Sequence, residues 1–186
     1  ADDLLINVQG DEPNLDPEHV ALLLRLLQEH PSCQVATLAL TRAGPDSAED
    51  FRNPNRVKLL IDSSGRAQIF TRKAVPESPE GTVPEGGWLQ HIGVYGFRSK
   101  ALERFRTLPR GDLEQQERLE QLRLLEAGCE IRVVEVDVAA SGIDTEEDYR
   151  RFVENTRRMR EDRGDENAAG SVPAEAVDRG EMDDNS

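Results

Sequence analysis

Hydrophobic and polar positions alternate along the chain in blocks that mark out most of its regular elements. Leu4 to Val8 (LLINV) is a short apolar run halted at Gln9-Gly10-Asp11-Glu12-Pro13, where glycine and proline prevent a regular element from continuing. It reads as a buried strand feeding a turn. Asp16 and Pro17 supply an N-cap and a first-turn proline, and Val20, Leu23, Leu24 and Leu27 recur at helical spacing as far as His30-Pro31. This pattern predicts a helix of about three to four turns. Five further runs, 35–40, 57–62, 67–72, 92–98 and 130–137, are short, rich in β-branched or aromatic residues and bounded by turn formers, which is the mark of strands. Ser63-Ser64-Gly65 sits between two of them as a hairpin loop and requires an antiparallel pair.

Residues 113–127 carry leucines at 119, 122 and 125, with Asp112 before the run and Gly128 after it. Cap chemistry and periodicity together predict a single amphipathic helix. At about 100° per residue, Glu114, Glu117 and Gln121 share one sector and Leu119 and Leu122 another, while Glu120 points away from the polar sector. A last helix starts near Asp144-Thr145, with Tyr149, Phe152, Val153, Thr156 and Met159 on one stripe. Strands interspersed with helices predict an α/β fold, and the hairpin makes its sheet mixed.

Composition narrows the class. The 186 residues are 37% hydrophobic and 32% charged, a globular balance, and no stretch approaches the roughly 18 consecutive apolar residues of a membrane helix. The formal charge of −14 opposes binding to nucleic acid, whose phosphates repel an acidic surface. Half of that excess lies between Glu161 and Ser186, where nine acidic residues accompany two arginines. With almost no large apolar side chain, this segment is expected to be a disordered acidic tail (161–186) following one folded domain (1–160). Cys33 and Cys129 stand outside any paired spacing and read as isolated thiols. The first residues show no basic leader with an apolar run, so no membrane association and a cytoplasmic address are expected.

Asp11 is the first candidate for chemistry, because open α/β sheets bind ligands outside the carboxyl ends of their strands. An Asp in such a turn also caps backbone amides, and Asp144 before Thr145 has the same alternative as a helix N-cap. Arg157, Arg158 and Arg160 close the last helix, where cations meet the negative end of its dipole.

Six segments in sequence then form a pattern: Gln9-Gly10-Asp11-Glu12-Pro13; Phe51 to Lys58 (FRNPNRVK); Phe70-Thr71-Arg72 followed by Val75-Pro76; His91 to Arg98 (HIGVYGFR); Leu119 to Arg123 (LEQLR); and Gly142-Ile143-Asp144-Thr145. In order and spacing they resemble the motifs of the CMP-Kdo synthetase (3-deoxy-manno-octulosonate cytidylyltransferase) family over roughly residues 4–153, with Phe97 where the family pattern has Tyr. The resemblance implies an α/β fold of the nucleotide-diphospho-sugar transferase type, with a mixed, mostly parallel sheet flanked by helices. It also implies that the chain lacks the family's first strands and its glycine-rich basic nucleotide loop, as in an N-terminally truncated sequence.

The implied reaction joins CTP to Kdo, giving CMP-Kdo and pyrophosphate for lipopolysaccharide assembly. Magnesium is the implied cofactor, held by Asp11 and Asp144, since a hard cation on carboxylate oxygens neutralises clustered phosphate charge. Gln9, Arg72, His91, Tyr95, Glu120 and Gln121 are the implied substrate-binding residues, with Arg72 offering its donor fork to the sugar carboxylate. His91 and Tyr95, four apart on a strand, fall on one face. Lys58, Arg98 and Arg123 also lie in the matched segments, where ion pairing is their expected use. The partners implied are CTP, Kdo and a second copy in a homodimer. Two alternatives stay open: a transferase for another acidic sugar of the sialic acid kind, and a noncatalytic remnant that keeps the sugar-binding half.

Overall fold

The computed structural model describes residues 3–9, 15–44, 47–75, 82–137 and 146–162. The chain divides into two units, Ala1–Gly142 and Ile143–Ser186. In the first, the elements run β1 (Leu4–Val8), α1 (Pro17–Glu29), β2 (Val35–Arg42), α2 (Ala48–Arg52), β3 (Lys58–Ile61), β4 (Ala67–Thr71), β5 (Trp88–Arg98), α3 (Ser99–Thr107), α4 (Asp112–Glu117), α5 (Gln121–Glu126) and β6 (Ile131–Val136). The second contains α6 (Glu146–Asp162).

The six strands form one sheet in the order β4-β3-β5-β2-β6, with β1 also on β5. The sheet is mixed and flanked by helices, as expected. Its pairing corrects the expectation of a mostly parallel sheet: β2–β6 is parallel, and the other four ladders are antiparallel. β1, β2, β3 and β6 all point the same way, but β5 runs against them and sits between three of them.

Helix α1 begins as its sequence dictates, with the Asp16 carboxylate accepting from Glu18 N at 2.9 Å and Pro17 in the first turn. Its apolar stripe puts Leu23 and Leu27 against Ala36, Leu38, Ile92, Val94 and Val136 on one sheet face. On the other face, Leu119, Leu122 and Leu124 pack against Val35, Ala39, Tyr95, Phe97, Ile131 and Val133. Each such leucine contributes roughly 1.5–3 kcal/mol by leaving water.

The helix expected over 113–127 is two helices, α4 and α5, folded back on each other. Arg118 between them adopts φ 54°, ψ 47°, and its N–H donates to Glu114 O at 2.8 Å. On one straight helix, Glu114 and Arg123 would lie about 13 Å apart on opposite sides. Instead Arg123 Nη2 lies 2.5 Å from Glu114 Oε1, which only the break permits. The Arg123 hydrogen bond holds the Glu114 carboxyl below the usual range. Helix α3 and the short α2 were not read from the sequence, and β5 starts at Trp88 rather than Ile92.

The β3–β4 hairpin follows the sequence reading, with Gly65 at φ 76°. Its turn is fixed by Asp62, whose carboxylate accepts from Ser64 N at 2.8 Å and Ser64 Oγ at 2.7 Å. Cys33 and Cys129 are free and buried. In α6, Glu146–Arg150 and Glu154–Arg158 pair at 2.6 Å, exposed helical pairs worth a few tenths of a kcal/mol. Phe152, Val153 and Thr156 are half-buried and Tyr149 is exposed. The acidic tail from residue 163 lies outside the described residues, as does the side chain of Met159. Among the described residues, no helix is long and apolar enough to cross a membrane.

Candidate functional site

Strand β5 borders β2 along nearly its whole length, but its other edge is shared. β1 pairs with Val94–Arg98 and β3 with Leu89 and Gln90, so the end of β1 faces the start of β3 across His91, Ile92 and Gly93. This interval is closed by backbone and side chains from both directions. His91 N donates to Val57 O at 2.9 Å, and the Gln9 side chain lies over Gly93, in the space a β-carbon there would fill. Glycine at 93 is what lets Gln9 reach the strand.

His91 and Tyr95 share a face, their ring centroids 5.3 Å apart. Phe70 meets the His91 ring edge-on at 5.2 Å, and Phe97 stacks on Tyr95 at 5.7 Å. Thr37 Oγ1 lies 3.1 Å from His91 Nε2 and 2.9 Å from Val94 O. A hydroxyl has one proton; with Val94 O taking it, Thr37 Oγ1 accepts from Nε2–H, which assigns the tautomer and leaves Nδ1 as an acceptor. Burial among these rings pulls the imidazole down to about 3, so His91 is neutral across the physiological range.

Burial pushes the Tyr95 phenol up, and the Glu120 carboxylate pushes it the same way. Glu120 precedes α5 and is exposed, yet its charge is felt at Tyr95. It also lines an open cleft of about 460 Å³ with Arg110, Glu114, Gln115 and Arg118. Gln121 opens α5 beside it and is half-buried. His91 and Tyr95 thus share one face of β5 with Gln9 over Gly93 between them, and Glu120 is electrostatically linked to Tyr95.

Arg72 is held by backbone carbonyls. Its Nε donates to Glu117 O at 2.9 Å and its Nη1 to Pro54 O at 3.0 Å. The Glu117 carboxylate in turn accepts from Arg72 N and from Thr71 Oγ1, both at 2.9 Å. Two of the five guanidinium donors are therefore committed to placing the fork.

Asp11 and Asp144 lie outside the described residues, as do Gly10, Glu12 and Pro13. The strands that lead to them, β1 and β6, end on the same edge of the sheet, three strand spacings or about 14 Å apart. Among the described residues no cluster of three or more His, Cys, Asp or Glu is placed to hold a metal.

Three residues of the site were given no site role from sequence: Thr37 and Phe70 read as strand residues and Glu117 as a solvated helix position. Lys58 was expected to form an ion pair, but its ammonium binds three backbone carbonyls. Arg123 does form the expected ion pair, and also sits 4.4 Å over the Phe105 ring. Arg98 donates to Cys33 O at 2.9 Å and Leu27 O at 2.5 Å, tying down the end of α1.

Residues 1–132 match the model of a family described as cytidylyltransferase. A 3-deoxy-manno-octulosonate cytidylyltransferase of Rhodopirellula baltica is 44% identical over 156 residues, covering 80% of this chain and 61% of the relative. One of the same name from Acidobacterium capsulatum is 45% identical over 150 residues, covering 80% and 58%. Among solved structures, CMP:2-keto-3-deoxy-manno-octonic acid synthetase complexed with CTP superposes with a TM-score of 0.73 at 33% identity, covering 87% of this chain and 63% of that one. The chain spans about three-fifths of the length of the curated relatives it matches.

Proposed function

The chain belongs to the cytidylyltransferase family, and from that premise we propose that, within its natural-length protein, it transfers the cytidylyl group of CTP to Kdo. The observation that carries the reading is the grouping of His91 and Tyr95 on one face of β5 with Gln9 over Gly93 between them, and with the Glu120 charge reaching Tyr95. A polyhydroxylated acidic sugar needs such a wall of fixed donors and acceptors.

In this reading the anomeric hydroxyl of Kdo attacks the α-phosphorus of CTP. An oxygen–phosphorus bond forms, the bond to the bridging α–β oxygen breaks, and pyrophosphate leaves with the electron pair while the hydroxyl proton passes to solvent. Neutral His91 offers Nδ1 to a sugar hydroxyl, Gln9 and Gln121 offer amides, and Glu120 accepts. Arg72, its fork placed by Glu117 O and Pro54 O, presents its other donors to the sugar carboxylate. Asp11 and Asp144 are the residues that would hold magnesium, which when bound neutralises phosphate charge. The same reading places the protein in the cytoplasm as a homodimer.

The test is product analysis with CTP, magnesium and Kdo. A CMP–Kdo ester and one equivalent of pyrophosphate are expected, and Asp11→Asn or Asp144→Asn should abolish their formation while leaving folding nearly intact. Product formation at the normal rate in either variant removes that residue from the metal site.

A further inference from the structure

Lys58 is 1% exposed, and its ammonium has three N–H donors. They meet three carbonyls from two separate segments: Asn53 O at 2.8 Å, Arg56 O at 2.7 Å and Arg72 O at 2.9 Å. Placing a cation in a protein interior costs several kcal/mol, and a methionine of similar volume would fill most of the space without that cost. What the ammonium adds is a three-way tie between the Asn53–Arg56 loop and the end of β4.

The tie closes on itself. Lys58 takes the carbonyl of Arg72, while the guanidinium of Arg72 takes the carbonyl of Pro54 from the same loop, 3.0 Å away. Val57, next in the chain, accepts from His91 N. The loop, the Arg72 fork and the start of the His91 interval therefore share one anchor.

We propose that Lys58 is a positioning residue for the acidic-sugar side of the site, fixing the Asn53–Arg56 loop and the Arg72 fork without touching substrate. This role rests on the Kdo reading above. Burial beside Arg72 pulls the ammonium down to about 8, so at neutral pH it still carries all three donors.

Two measurements on the natural-length protein test the role, with Lys58→Met and, because the first could fold poorly, Lys58→Gln, which keeps a shorter donor. Steady-state kinetics should show KM for Kdo raised at least tenfold in Lys58→Met and less in Lys58→Gln, with KM for CTP within about twofold of normal. Hydrogen exchange should speed up at the Arg72 and His91 amides while those of α1 keep their protection. An unchanged KM for Kdo, equal changes for both substrates, or exchange accelerated uniformly across the sheet would overturn the role and leave the Kdo reading standing. No turnover of Kdo by the unsubstituted protein would sink the reading itself, and the positioning role with it.

Discussion

The hydroxyl of Thr37 lies 3.1 Å from Nε2 of His91 and 2.9 Å from the carbonyl of Val94, joining β2 to β5 where the register between them shifts. Replacing it by Thr37→Val keeps the shape and leaves Nε2–H without its acceptor. A stability loss of about 1–3 kcal/mol is expected from denaturant unfolding. Imidazole nitrogen NMR should also show the Nε2–H tautomer no longer dominant. An unchanged tautomer would mean that Thr37 does not set it.

His91 makes stability depend on acid. Its proton is taken up at about 6.5 in the unfolded chain and only near 3 in the folded one. As pH falls from 6.5 toward 3 the unfolded state binds the extra proton, so this contribution is complete above 6.5 and drains away below it. His91→Gln removes the group, so the difference in melting temperature between about pH 7 and about pH 4.5 should shrink in the variant. An equal decline in both proteins would place the acid sensitivity in other groups.

Gly93 gives Gln9 its place. A β-carbon at 93 would come within 3.0 Å of Gln9 Cδ and closer still to its oxygen. Because Gln9 is exposed, Gly93→Ala can be accommodated by displacing that side chain. Sugar turnover should fall on the order of 10-fold to 100-fold, with a melting temperature close to normal. Full activity in Gly93→Ala would show that the position of Gln9 does not matter to the reaction.

Much of this architecture was legible because it is local. The strands of the sheet, helix α1 with its Asp16 cap, and the Ser63-Ser64-Gly65 hairpin each announce themselves in period and turn chemistry. The break at Arg118 does not, since 113–127 has helical periodicity throughout and only the distant pairing of Glu114 with Arg123 reveals the fold-back. The direction of β5 was equally hidden: nothing in HIGVYGFR says which neighbours it opposes. The shared face of His91 and Tyr95 followed from strand alternation, whereas the Thr37 contact depends on sheet register. Lys58 looked like a member of an ion pair because its partners are carbonyls, which carry no sequence signal. The metal ligands expected at Asp11 and Asp144 fall outside the described residues.

In the proposed function, this chain carries the sugar side of a CTP:Kdo cytidylyltransferase. Pyrophosphate release by the natural-length protein, followed with CTP and magnesium and with either Kdo or a sialic acid as acceptor, tests it most directly. Release that depends on Kdo, with the sialic acid at least about 100-fold poorer in kcat/KM, is the predicted result. Release driven by the sialic acid, or none with either sugar, would contradict it.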